Sequence, residues 1–64
     1  MTLDEFEIKI LRVCAGEAVP GIEWGAAMGA CLETLRTAGL IDCVHYAYAA
    51  TDAGHEYLKG IPND

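Results

Sequence analysis

Three cysteines and two histidines are the residues best suited, by type, to nucleophilic or metal chemistry. Cys14, Cys31 and Cys43 are odd in number, so they cannot all pair within one chain, and none stands in a Cys-x-x-Cys spacing. Each lies among apolar neighbours, where a free cysteine behaves as a small buried hydrophobe. Cys43-x-His45 is at most half of a zinc site, which needs four ligands when structural. His55 is the only other histidine, and no second ligand pair is close in sequence. No nucleophile sits beside a base and no glycine loop could cradle a phosphate. His45 and His55 therefore read as isolated surface or wing histidines. The expectation is a protein that is not an enzyme and that carries no metal and no cofactor.

Charge narrows the field further. Four Lys and Arg stand against ten Asp and Glu, a formal net charge of −6, with the acids spread along the chain. The cations are Lys9, Arg12, Arg36 and Lys59. A duplex repels such a surface unless the few cations cluster. Hydrophobic residues make up 53% of only 64 residues, more than so small a domain can readily bury, which points to a homodimer or a protein partner. No apolar run reaches the roughly 20 residues that span a bilayer. The opening Met1-Thr2-Leu3-Asp4-Glu5 is acidic where a secretion signal is basic, so the expected location is cytoplasmic, away from membranes.

The elements that must position these residues form one domain over residues 1–64. Thr2 and Glu5 have the spacing of a capping box, so a first helix is expected to run to Cys14 or Ala15 and close at Gly16. Leu3, Phe6, Ile10, Val13 and Cys14 form its core face. Ile8, Leu11 and Ala15 make a second apolar stripe, to be covered either by another chain or by a third helix. Pro20 and Gly21 mark a linker. A second helix is expected from Ile22 or Glu23 to Ala38, with Trp24, Ala27, Met28, Cys31, Leu35 and Ala38 facing inward. Its outer face carries Ala26, Gly29, Ala30, Glu33, Arg36 and Thr37, a smooth surface that would let another backbone approach closely, though close packing on the first helix or simple tolerance of glycine is the favoured account. Leu40 to Ala50 reads as a two-stranded ribbon reversing near Cys43 to His45. Thr51 caps a last helix from about Asp52 to Lys59.

Two stretches carry a resemblance. Leu35 is followed by Gly39-Leu40-Ile41, and Tyr48 by Thr51, Gly54 and Leu58 at the spacing Tyr-x-x-Thr-x-x-Gly-x-x-x-Leu. This pattern resembles the back half of small bacterial winged-helix domains of the MarR-like type. It implies a mainly α fold with a short β-hairpin: three helices plus a two-stranded wing. Two features depart from that family. The space after Gly16 abbreviates the helix-turn-helix, and Trp24 to Ala30 offers small apolar residues where base-reading side chains belong. The wing, Asp42 to Tyr46, holds no cation.

The expected function is therefore a small acidic protein-binding module that does not itself contact nucleic acid. It would serve as inhibitor or adaptor of a basic nucleic-acid-handling protein, of the phage or mobile-element type. Its interface would be Ile8, Leu11 and Ala15 on the first helix with Ala26, Gly29, Ala30 and Glu33 on the second. The alternative is a winged-helix transcriptional regulator that binds DNA.

Overall fold

Local backbone chemistry sets the ends of every element. The structure is a computed structural model that describes residues 3–22 and 25–61, without the side chain of Ala26. Helix α1 spans Glu5–Cys14. Its N-cap is Asp4, whose Oδ1 accepts from the Glu7 amide at 2.8 Å, while the Asp4 amide donates to Glu7 Oε1 at 3.1 Å. The capping box is thus formed two residues later than the expected Thr2–Glu5 pair, and Thr2 lies outside the described residues. Asp4-x-x-Glu7 has the same box spacing, and Asp4 carries a carboxylate to the positive end of the helix dipole. Gly16, at φ 94°, closes α1 while the Glu17 amide reaches back to the Arg12 carbonyl at 3.0 Å.

Helix α2 spans Ala26–Thr37, three to four residues shorter at its start than expected. Gly25 is fully extended there and no side chain caps the helix, so the run that periodicity extends back to Ile22 is interrupted. Trp24, expected to be buried, lies outside the described residues. The other end follows the reading closely. Gly39 takes φ 78°, its amide donates to the Arg36 carbonyl and the Leu40 amide to the Leu35 carbonyl, both at 3.0 Å. This is the paired bonding of a Schellman stop, and Leu35 and Leu40 are both buried beneath it.

Strands β1 (Ile41–Val44) and β2 (Ala47–Ala50) pair antiparallel, with Ile41 opposite Ala50 and Val44 opposite Ala47. The reversal is therefore the two residues His45 and Tyr46, slightly later than expected. Helix α3 spans Asp52–Lys59. The Thr51 hydroxyl accepts from the Gly54 amide at 3.2 Å and donates to the Gly39 carbonyl at 2.6 Å, so one side chain caps α3 and ties it to the stop of α2. Far along the chain, the Leu3 amide donates to the Tyr57 hydroxyl at 3.1 Å.

The layout is that of a small winged-helix-like domain, three helices and a two-stranded antiparallel hairpin. Its core is Leu3, Ile10, Leu11, Met28, Leu35, Leu40 and Ile41. Each large aliphatic side chain removed from water there contributes about 1.5–3 kcal/mol. The core corrects one expectation. Leu11, assigned to an outer stripe, is 0% exposed. Helix α1 is central, and α3 covers the side that the sequence left open: Leu11 Cδ1 lies only 3.2 Å from where a side chain on Gly54 would begin. Ile8 is half-buried and packs against the same core.

Candidate protein-interaction surface

With α1 covered, the exposed apolar surface moves to the hairpin. Alternation places Ile41, Cys43, Tyr48 and Ala50 on one face and Asp42, Val44, Ala47 and Ala49 on the other. Ile41 is buried at the root of the first face, whereas the whole second face is exposed. Val44 is 47% exposed, Tyr48 41% and Tyr46 103%. A large aromatic side chain at the tip of the hairpin thus touches almost nothing of its own domain.

The backbone at the tip is unusual for the residues that occupy it. His45 has φ 52° and Tyr46 has φ 65°. A two-residue hairpin turn of this kind needs positive φ at both positions, and Asn-Gly supplies it with little strain. A left-handed conformation costs an ordinary L-residue about 1–2 kcal/mol, histidine tolerating it better than a bulky tyrosine. The hairpin holds His and Tyr where a stabilising sequence would hold Asn and Gly.

The second half of the expected interface lies on α2. Gly29, Ala30 and Glu33 are exposed. Among the described residues nothing lies within 4 Å of a side chain built on Gly25 or Gly29, so none of them packs closely on these glycines. Ala15 is half-buried at the end of α1, where it lines a cleft with Glu17, His55 and Lys59. The structure therefore does not gather Ile8, Leu11 and Ala15 with Gly29, Ala30 and Glu33 into one open patch. Val44, Tyr46 and Tyr48 fall in the stretch that the sequence assigns to the ribbon and are not among the residues of the expected interface. The available signal was an apolar wing with neither a cation nor a standard turn pair.

Two of the four cations, Arg12 and Lys59, line one cleft with His55, but the carboxylate of Glu17 lines it too. Lys9 Nζ lies 3.7 Å from Glu5, Arg12 Nη1 3.7 Å from Glu17, and Lys59 Nζ 3.3 Å from Glu56. Such surface pairs contribute little stability, but each cancels the local positive potential that a phosphate would seek. Arg36 is exposed on α2.

The thiols and histidines are likewise dispersed. Among the described residues no three His, Cys, Asp or Glu side chains converge as a metal site would require. Burial pushes the Cys14 thiol up from its ordinary pKa. Cys31 is also raised, first by desolvation and then by the charges of Glu7 and Asp4. Both shifts disfavour the reactive thiolate. Cys43, expected to be buried, is exposed on the hairpin, and His45 in the turn and His55 on α3 are both exposed. No helix among the described residues is long and apolar enough to cross a membrane.

Comparisons with protein-family models, with curated proteins and with solved structures found no match to this chain.

Proposed function

We propose that this chain is a non-enzymatic protein-binding module, built on a small winged-helix-like domain of MarR-like resemblance, whose wing is the contact element. The observation that carries this reading is the hairpin tip: an aromatic side chain fully exposed on a left-handed turn, between Val44 and Tyr48. Strained backbone of this kind persists where the exposed group has a use, and Tyr is among the residues that dominate protein interfaces. The partner is a basic protein that handles nucleic acid, and this chain acts as its inhibitor or adaptor, of the phage or mobile-element kind. Net charge −6 favours such a partner and repels the partner's own nucleic acid.

The test replaces the turn, His45→Asn with Tyr46→Gly. Relief of left-handed strain stabilises the domain by about 1–2 kcal/mol, while removal of the tyrosine abolishes retention of the partner in affinity capture from the native host. Equal retention by both proteins would remove the wing from the interface. A parallel selection from random duplexes at physiological salt addresses the regulator reading. One enriched motif, bound at about 10⁻⁸ M or tighter, would replace this proposal with a DNA-binding function.

A further inference from the structure

The C-terminal ends of α1 and α3 meet at a cleft of about 370 Å³, a volume within the range of small-molecule sites. On α3, His55, Leu58 and Lys59 stand at i, i+3 and i+4 and so share one face. At the end of α1, Arg12 lies one turn before Ala15, and Glu17 follows the stop at Gly16. All six line the cleft, together with half-buried Ile61. Ala15, Leu58 and Ile61 supply its apolar wall, and the other four carry its charge and its hydrogen-bonding groups.

The charge of this lining is opposite to that of the chain. Two cations stand against the single carboxylate of Glu17, in a protein of net charge −6. The helix dipoles account for a cation in each last turn, but not for the convergence of both on one cleft beside apolar side chains. The helix-end carbonyls that would oppose an anion are in part occupied. Those of Arg12 and Val13 accept from the Glu17 and Gly16 amides at 3.0 Å, and those of Tyr57 and Leu58 from the Gly60 and Ile61 amides at 3.2 Å.

Glu17 stands 3.7 Å from Arg12 Nη1, beyond the roughly 2.7–2.9 Å of a charge-assisted hydrogen bond. The chain thus holds a carboxylate of its own, loosely, at a place an external one could take. Lys59 is paired with Glu56 at 3.3 Å, and both of these side chains are exposed. A bare phosphate meets only charge here and must compete with both carboxylates for it. An acid group on an apolar body also removes Leu58 and Ile61 from water, and that second contribution separates the two kinds of anion.

We infer that the cleft between α1 and α3 binds a small organic anion, whose acid group displaces Glu17 from Arg12 and lies among Arg12, His55 and Lys59 while its apolar body covers Ala15, Leu58 and Ile61. The site shares no residue with the wing, and the inference does not rest on the binding function proposed above.

The probes are phenylacetate, phenethyl alcohol, phenethylamine and inorganic phosphate. Each is titrated into the full chain at constant ionic strength while the methyl resonances of Ala15, Leu58 and Ile61 are followed by NMR, with Val44 on the wing as reference. Phenylacetate is expected to give saturable shifts at the three methyls and none at Val44. The alcohol binds at least about tenfold more weakly, for want of the charged hydrogen bonds. The amine and phosphate give no saturable shift. Glu17→Gln binds phenylacetate about two- to fivefold more tightly and Lys59→Gln about two- to fivefold more weakly, the range of one exposed ion pair. Arg12→Gln weakens binding at least about tenfold. Arg12 is half-buried, so the two exposed positions carry the test where that variant misfolds. Alcohol or amine binding as tight as that of phenylacetate overturns the inference, as do equal shifts with phosphate, which would mark a site for charge alone. Shifts confined to other methyls, unchanged affinity in Glu17→Gln, or no saturation by about 10 mM overturn it as well.

Discussion

Two glycines in helices of this domain should respond to alanine with opposite signs. Gly29 lies exposed within α2, and among the described residues nothing stands within 4 Å of the position a side chain would take. Alanine there gains about 1 kcal/mol of helix propensity. Gly54, at the third position of α3, is buried against the hairpin's root. A side chain there would overlap the Leu40 carbonyl oxygen and come within 3.2 Å of Leu11 Cδ1. That carbonyl is also the acceptor for the Thr51 amide at 3.0 Å, so it cannot swing aside without loosening the cap of α3. Forcing a methyl group against fixed backbone costs about 3 kcal/mol, the upper part of the range for overpacking. Propensity returns about 1 kcal/mol, leaving a net loss of about 2 kcal/mol. For a domain of this size each kcal/mol moves the midpoint by about 4–8 °C. Gly29→Ala is expected to melt about 4–8 °C higher and Gly54→Ala about 8–16 °C lower, measured by circular dichroism at one protein concentration. A Gly54→Ala protein that melts at or above the parent temperature would refute the close approach of α3 to Leu40, and with it the reason for glycine in that motif.

Thr51→Ala should lose the α3 cap and the bond to the Gly39 carbonyl, lowering stability by about 1–2 kcal/mol in urea titration; Thr51→Ser should recover most of it. Leu11→Ala should cost about 2–5 kcal/mol, enough to unfold much of a domain whose total is about 3–10 kcal/mol, whereas Ile8→Ala should cost clearly less; similar losses would return Leu11 to the surface. Iodoacetamide should modify exposed Cys43 well before Cys14 or Cys31, as mass spectrometry of the native chain would report. Because burial raises the folded pKa of Cys14 above its unfolded value, its contribution is intact below the ordinary thiol value of about 8.5 and is lost as pH climbs through the folded value. The melting temperature should therefore decline on that alkaline side, and Cys14→Ala should decline less.

What was legible in the sequence is what short-range chemistry determines. The Gly39 stop and the Thr51 cap depend on residues within a turn of each other, and both appear as read. The N-terminus of α1 offered two overlapping boxes, Thr2 with Glu5 and Asp4 with Glu7, and spacing alone could not rank them. The hairpin turn had neither glycine nor asparagine to mark it, so its position had to come from pairing β1 with β2 across Cys43 and Tyr48. The expected interface was the least legible part. Leu11 looks surplus when α1 is considered alone, because only tertiary packing reveals that α3 lies over it. The same packing leaves Val44, Tyr46 and Tyr48 outside, and residues that merely suit a strand carry no mark in sequence of being left uncovered.

The hairpin has a further consequence for how molecules of this protein coexist in concentrated solution. Among the described residues its two strands pair only with each other, and although Asp42 Oδ1 takes the Cys43 amide, no further strand covers either outer edge beside exposed Val44, Ala47 and Ala49. Edges of this kind template sheet growth from one molecule to the next unless something holds them apart. Here that task falls to long-range repulsion between carboxylates. The restraint vanishes as the solution is acidified towards the isoelectric point of about 4.6. Colloidal behaviour and fold stability then part company: the domain can remain folded and still come out of solution, edge upon edge, as soon as its surface is neutral.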